Sequence, residues 1–187
     1  MQRLSFALCA AILVTSVALA GHNPVQTVNR SAAGWPVGDF ALTDDRGRPF
    51  TQDRLRGRWT FVVLGDTQCA EPCAAPLAAL AGMRRRIAGT EALKATQVVF
   101  VSLDPQRDTP QRLREYVAPF DSSFVGATGP NAILASLSDD LGLHGEAPAL
   151  QGALVLLGPD GVVRAQYLPP FDVPLLTADY LKTRAYK

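Results

Sequence analysis

Three short, largely apolar runs punctuate the chain: Trp59 to Leu64, Val98 to Leu103 and Ala153 to Leu157. Runs of this length without polar alternation predict strands buried on both faces, as in a parallel sheet. Between them the apolar spacing changes to helical. After Cys73, Leu77, Leu80, Ala81, Ile87 and Ala88 recur close to the helical period and predict a helix over about 74–88. Pro76 then falls in its first turn, where a missing N–H costs nothing. Asp108-Thr109-Pro110 opens a second helix through about Val117, with Thr109 or Asp108 as cap and Pro110 at the first helical position. Ser123 to Ala127 predicts a short strand. Gly129-Pro130-Asn131 leads into a helix to about Leu141, and residues 174–186 form a terminal helix.

Two hairpins flank this core. Residues 39–43 and 48–51 surround Asp44-Asp45-Arg46-Gly47, and Val162 to Gln166 returns from the turn Gly158-Pro159-Asp160-Gly161. Strands alternating with helices, then an antiparallel edge, predict an α/β protein with a mixed central sheet flanked by helices and an N-terminal β-hairpin.

Composition bounds the rest. The 187 residues are 48% hydrophobic and 19% charged, which describes a folded body of single-domain length. Residues 4–20 are apolar apart from Ser5, Thr15 and Ser16, follow Arg3 and end in Ala18-Leu19-Ala20. This reads as an export signal cleaved before Gly21, or as a membrane anchor. The expected organisation is a signal or anchor over 1–20, a linker over 21–35 and one domain over 36–187, in a periplasmic or otherwise exported protein. Of the 18 basic residues only Arg3 lies in the leader, so 17 basic residues balance 17 acidic ones in the body. Such a body offers no electrostatic reason to bind nucleic acid. Arg84-Arg85-Arg86 is its one basic run and reads as cations complementing a helix C-terminus.

The chemistry concentrates in Gly65-Asp66-Thr67-Gln68-Cys69-Ala70-Glu71-Pro72-Cys73. Cys9 lies in the leader, so Cys69 and Cys73 form the single thiol pair of the body. They sit where a strand hands over to a helix, which suits a thioredoxin-like fold. Cys73 is placed to feel the helix N-terminus, which lowers a thiol's pKa. Cys69 is expected farther out on the loop and more exposed. Three readings follow. The pair exchanges disulfides, one thiolate attacking and the other resolving. It holds a soft ion such as Cu(I), which accepts two thiolates. Or it is an inert structural clip, although so short a loop gains little from closure. Asp66, three residues before Cys69, is either a tuner of the thiols or a solvated loop residue. Asp104 and Asp108 read first as turn and cap residues.

Several segments together resemble the Sco/SenC family of copper-site assembly proteins. They are the hairpin from Gly38 to Thr51, the cysteine loop from Leu64 to Cys73, the signature Ser102-Leu103-Asp104-Pro105-Gln106-Arg107-Asp108-Thr109-Pro110, and the late turn from Leu156 to Gly161. The resemblance covers roughly 36–165. It implies a thioredoxin-like fold and a role in maturing the copper centre of cytochrome c oxidase. The implied partner is that enzyme's copper-site subunit, or another exported thiol protein. It implies copper bound by Cys69 and Cys73 and a histidine, and reduction of the target's cysteines by the same dithiol. The family's histidine stands eleven residues before the turn glycine, and counting back from Gly161 gives Leu150, which cannot ligate. His144, six residues earlier, reads as a surface residue, and His22 belongs to the linker. Asp66 stands where the family has an aromatic residue, and Ala74 where it has proline. The resemblance therefore leans towards redox chemistry and Cu(I). The other readings are a general periplasmic oxidoreductase and a binding module with a structural disulfide.

Overall fold

The computed structural model describes residues 26–28, 34–145 and 147–185. The leader, Cys9 and His22 lie outside them. Among the described residues no helix is long and apolar enough to cross a membrane.

The three apolar runs become the middle of one sheet. Strand β5 (Trp59–Gly65) pairs in parallel with β6 (Thr96–Ser102) and antiparallel with β8 (Leu154–Leu157). Strand β7 (Val125–Thr128) extends the parallel side. The hairpin of β3 (Ala41–Asp44) and β4 (Pro49–Thr51) closes that edge. On the other side β9 (Val162–Leu168) lies against β8 and carries β1 (Gln26–Val28) and β2 (Trp35–Pro36). The full order is β1-β9-β8-β5-β6-β7-β3-β4. Strands β1 and β2 lie within or at the end of the stretch expected to link leader and domain.

The lack of polar alternation is explained by cover on both faces. Phe61, Val63, Phe100, Leu154 and Leu156 face α1 (Glu71–Arg86), α3 (Pro110–Val117) and α6 (Val173–Ala185). Their neighbours Val62, Leu64, Val99, Val101, Val155 and Leu157 face α4 (Asn131–Asp140) and the hairpin's Leu42 and Phe50. Each strand thus buries both its odd and its even positions. Helices α2 (Glu91–Lys94) and α5 (Ala147–Leu150) have four residues each, too few to show a period in sequence.

Helix α1 starts three residues earlier than its apolar period suggests. Glu71 and Pro72 form its first turn and Pro76 sits inside it, not at its start. Pro76 has no N–H to give the carbonyl of Pro72. That carbonyl faces Gly152, where a Cβ would lie 2.0 Å from the Pro72 oxygen. Gly152 also has a φ of +76°, so the position requires glycine for both room and backbone conformation.

The hairpin turn is organised by a buried carboxylate. Asp44 accepts hydrogen bonds from the backbone N–H groups of Arg46 and Arg48 (2.9 and 2.8 Å) and from both donors of the Arg48 fork. Burial pushes its carboxyl up, but the Arg48 guanidinium and these N–H groups outweigh burial and hold it below the usual carboxylate range. A carboxyl that titrates lower when folded stabilises the fold above its unfolded value, and the benefit is lost as pH falls through the folded value. In urea titrations, Asp44→Asn should be less stable than wild type at pH 7. The difference should shrink below about pH 4, where the unfolded carboxyl takes up its proton. A difference independent of pH would exclude the carboxylate as its source.

Candidate functional site

The parallel strands end at the edge where the cysteine loop begins. Cys69 and Cys73 meet there in a disulfide, with Cα atoms 5.7 Å apart. Cys73 is the third residue of α1, so its sulfur lies in the first turn, at the positive end of the helix dipole. Cys69 is the more exposed of the two, as expected, but only slightly: it is 6% exposed and Cys73 fully buried, and both belong to the core beneath α1. Closing the ring folds the loop back onto the apolar layer under the helix.

Strand and sulfur approach closely. A Cβ on Gly65 would lie 2.2 Å from the Cys73 sulfur and 3.2 Å from the Phe100 ring. The Cys73 sulfur is 3.8 Å from the Leu64 carbonyl, an acceptor for the thiol proton once the disulfide is reduced.

Four neighbours fix the loop. Asp108, 1% exposed, takes the N–H of Thr67 (2.9 Å), the hydroxyl of Thr67 (2.6 Å) and the hydroxyl of Ser102 (2.6 Å). Thr109 caps α3 by accepting from the Arg112 N–H, so Asp108 holds the cysteine loop and is not the cap. Tyr116 donates its hydroxyl to the Cys69 carbonyl at 3.0 Å. Burial pushes that phenol up, and the nearby charges of Asp66 and Asp108 push it further, so it remains a donor. Arg107 donates to the Gln68 side chain at 3.1 Å and pairs with Asp104. Asp104 also serves the turn, its carbonyl accepting from the N–H of Asp108. Finally, Asp66 accepts from the Gln68 N–H and from the Gln151 amide, each at 2.8 Å. The Leu64 carbonyl takes the Gly152 N–H at 2.8 Å. The segment after α5 is thus tied to the cysteine loop.

Leu150 ends α5, 6% exposed, in the core on the opposite face of the sheet from the cysteines. His144 has a side chain 77% exposed, with Nδ1 3.2 Å from an Asp139 carboxylate oxygen. Both border an apolar cleft of about 810 Å³ alongside Glu71, Pro72 and Phe171. Among the described residues no three or more His, Cys, Asp and Glu side chains are grouped to hold a metal ion. Among the described residues the donors grouped for a soft ion are the two sulfurs, and two thiolates suffice for Cu(I). Sequence reasoning missed Gly65, Tyr116 and Gln151, whose partners lie up to 85 positions away.

Known proteins resemble this chain in sequence and in fold. The SCO1/SenC family model matches residues 30–167. A candidate copper-binding protein of Stutzerimonas stutzeri is 34% identical over 150 residues, covering 73% of this chain and 71% of that one. The human mitochondrial protein SCO2 homolog is 30% identical over 152 residues, or 76% of this chain, which spans only 56% of that protein's length. The copper-bound crystal structure of Arabidopsis thaliana ScoI superposes with a TM-score of 0.71 at 28% identity, covering 80% of this chain and 98% of that one. Yeast Sco1 with copper bound, at 22% identity and a TM-score of 0.70, shares the thioredoxin-like fold. With the family model matched across the hairpin, the cysteine loop, the Asp104–Pro110 signature and the late turn, this chain belongs to the SCO1/SenC family.

Proposed function

We propose that this protein assists assembly of the copper centre of cytochrome c oxidase through the Cys69/Cys73 dithiol, as a thiol–disulfide reductant and Cu(I) carrier outside the cytoplasm. The observation that carries the reading is the disulfide at the strand–helix junction, held by Asp108, Tyr116 and Gln151. A loop fixed on these sides keeps its two sulfurs together whether oxidised or reduced. Family membership supplies the context.

The redox step balances as an exchange. One thiolate of the reduced pair attacks a disulfide sulfur of the target and displaces a target thiolate, forming a mixed disulfide. The second thiolate then attacks the first cysteine's sulfur and releases the other target thiolate. The target gains two electrons and this protein becomes the disulfide seen here. The Cys73 thiolate is favoured by the α1 N-terminus, which opposes the penalty of burial. As cargo, Cu(I) would be held by the Cys69 and Cys73 thiolates, a soft ion with soft ligands.

The test is copper retention by the anaerobically reduced protein against a competing chelator, with Cu(I) and Cu(II) added separately. Cu(I) retained in one equivalent and lost in Cys69→Ser and Cys73→Ser supports carriage. No copper, with a dithiol that still cycles, reduces the role to redox chemistry. A dithiol that neither binds nor cycles leaves a structural clip and sinks the reading.

Leu150→His tests whether the third ligand position is vacant. Leu150 packs away from the sulfurs but borders the cleft beside Glu71 and Pro72. A polar imidazole there should leave the apolar core for that cleft and raise Cu(II) affinity at least tenfold, because that ion prefers a fuller shell of nitrogen and sulfur donors. Cu(I) affinity should change far less. Competition titration of both ions on the variant checks it, and an unchanged Cu(II) constant would place the missing ligand elsewhere.

A further inference from the structure

A second site lies at the other end of the parallel strands. Arg58 immediately precedes β5 and the cysteine loop immediately follows it. Seven residues of strand separate the two ends by about 20 Å. Around the Arg58 end opens a cleft of about 650 Å³ lined by Arg54, Arg56, Arg58, Arg84 and Lys94 and by the carboxylate of Asp53, with Asp44, Asp121 and Glu91 paired to Arg54, Arg84 and Lys94 from outside the lining. Thr96 and Gln97, from the start of β6, complete the polar lining, their side chains bonded within the protein. The chain as a whole carries a formal charge of only +1, so this concentration of cations is local.

Four of the five cations have a carboxylate within 4 Å, but most of these pairs are loose or shared: Arg54 lies 3.8 Å from Asp44, which Arg48 already holds at 2.8 Å. Arg56–Asp53 and Lys94–Glu91 are i,i+3 pairs whose side chains are all more than two-thirds exposed. Exposed pairs of this kind hold little energy and exchange readily for another anion. Arg58 makes no ion pair among the described residues. Arg84 is different: it is only 13% exposed, bonds Asp121 at 2.9 Å and forms part of the wall.

We propose that this cleft docks an acidic polypeptide segment of a partner protein, leaving the dithiol at the far edge free to react. Charge complementarity supports an anion, and four of the five cations are guanidiniums, whose planar forks match carboxylates. The recess favours a narrow chain over a bilayer. A flat anionic surface meets only the exposed side chains at the rim, whereas a cleft of about 650 Å³ admits an extended chain with its carboxylates. The site is independent of copper or thiol chemistry.

The test uses the full protein with its disulfide intact and no copper, so its outcome is separate from that of copper retention. A hexaglutamate peptide is titrated while backbone amide resonances are followed, beside hexalysine, inorganic phosphate and phosphatidylglycerol vesicles. Shifts at Arg56–Trp59 and Lys94–Gln97, with Cys69–Cys73 unmoved, are expected. Affinity should fall at least tenfold between 50 and 300 mM salt, as exposed charges are screened. The exposed pair Arg56→Glu and Arg58→Glu should weaken binding at least tenfold with the thermal midpoint unchanged. Peptide binding at these amides upholds the proposal whether or not vesicles also bind. Absent shifts, equal binding by the charge-reversed variant, or binding of phosphate or vesicles without the peptide overturns it.

Discussion

Asp108→Ala should cost about 3 kcal/mol of folding stability, far more than a surface carboxylate would. The carboxylate is 1% exposed and accepts three hydrogen bonds, from the N–H and hydroxyl of Thr67 and the hydroxyl of Ser102. Alanine leaves all three donors without their acceptor. Ser102 is fully buried, so water cannot replace the lost partner there, while half-buried Thr67 recovers some hydration. The same change should loosen the cysteine loop and shift its equilibrium with glutathione towards the dithiol, because the sulfurs are no longer held together. Asp108→Asn keeps the shape and one carbonyl acceptor for the Thr67 N–H, so it should recover more than half of the lost stability. Urea denaturation of the three proteins, read with thiol alkylation in glutathione buffers, decides this. A loss below about 1 kcal/mol for alanine, or no change in the redox equilibrium, would reduce Asp108 to an ordinary turn residue.

That result bears on what a sequence discloses. The sheet was legible because its physics is local: β5, β6 and β8 are apolar at consecutive positions, as burial on both faces demands. The hairpins were legible from turn residues, and the pairing of Cys69 with Cys73 from their isolation as the body's thiols. The loop's supports were not. Asp108 and Thr109 are adjacent and both are good caps, and only the fold shows that Thr109 caps while Asp108 reaches 41 positions back to Thr67. Gln151 and Tyr116 are ordinary residues in sequence, and their roles arise from strand order, which brings residues 64 and 152 into one hydrogen bond. How deeply Cys69 is buried, though still less than Cys73, was hidden for the same reason. A loop pattern suggests solvent, but ring closure onto the core under α1 decides otherwise.

Gly65→Ala should show how closely the fold and the thiol chemistry are coupled. Gly65 has no left-handed backbone to justify it; the position requires glycine for room alone. A methyl group there would sit 2.2 Å from the Cys73 sulfur and 3.4 Å from its Cβ. Cys73 is fully buried and the Phe100 ring lies 3.2 Å from the same methyl position, so the backbone has no room to yield. Overpacking of this kind costs about 1–3 kcal/mol. In the disulfide the sulfur is fixed by its bond to Cys69, whereas in the dithiol the side chain can rotate to relieve the contact. The oxidised form should therefore suffer more, and the variant's disulfide should be reduced at least tenfold more readily by glutathione. Stability measured in a Cys73→Ala background isolates the contact, because the offending sulfur is then absent. Alanine at 65 should cost much less there than in the wild-type protein. Equal costs in the two backgrounds would trace the penalty to Phe100 and the sheet, and would disconnect Gly65 from the dithiol.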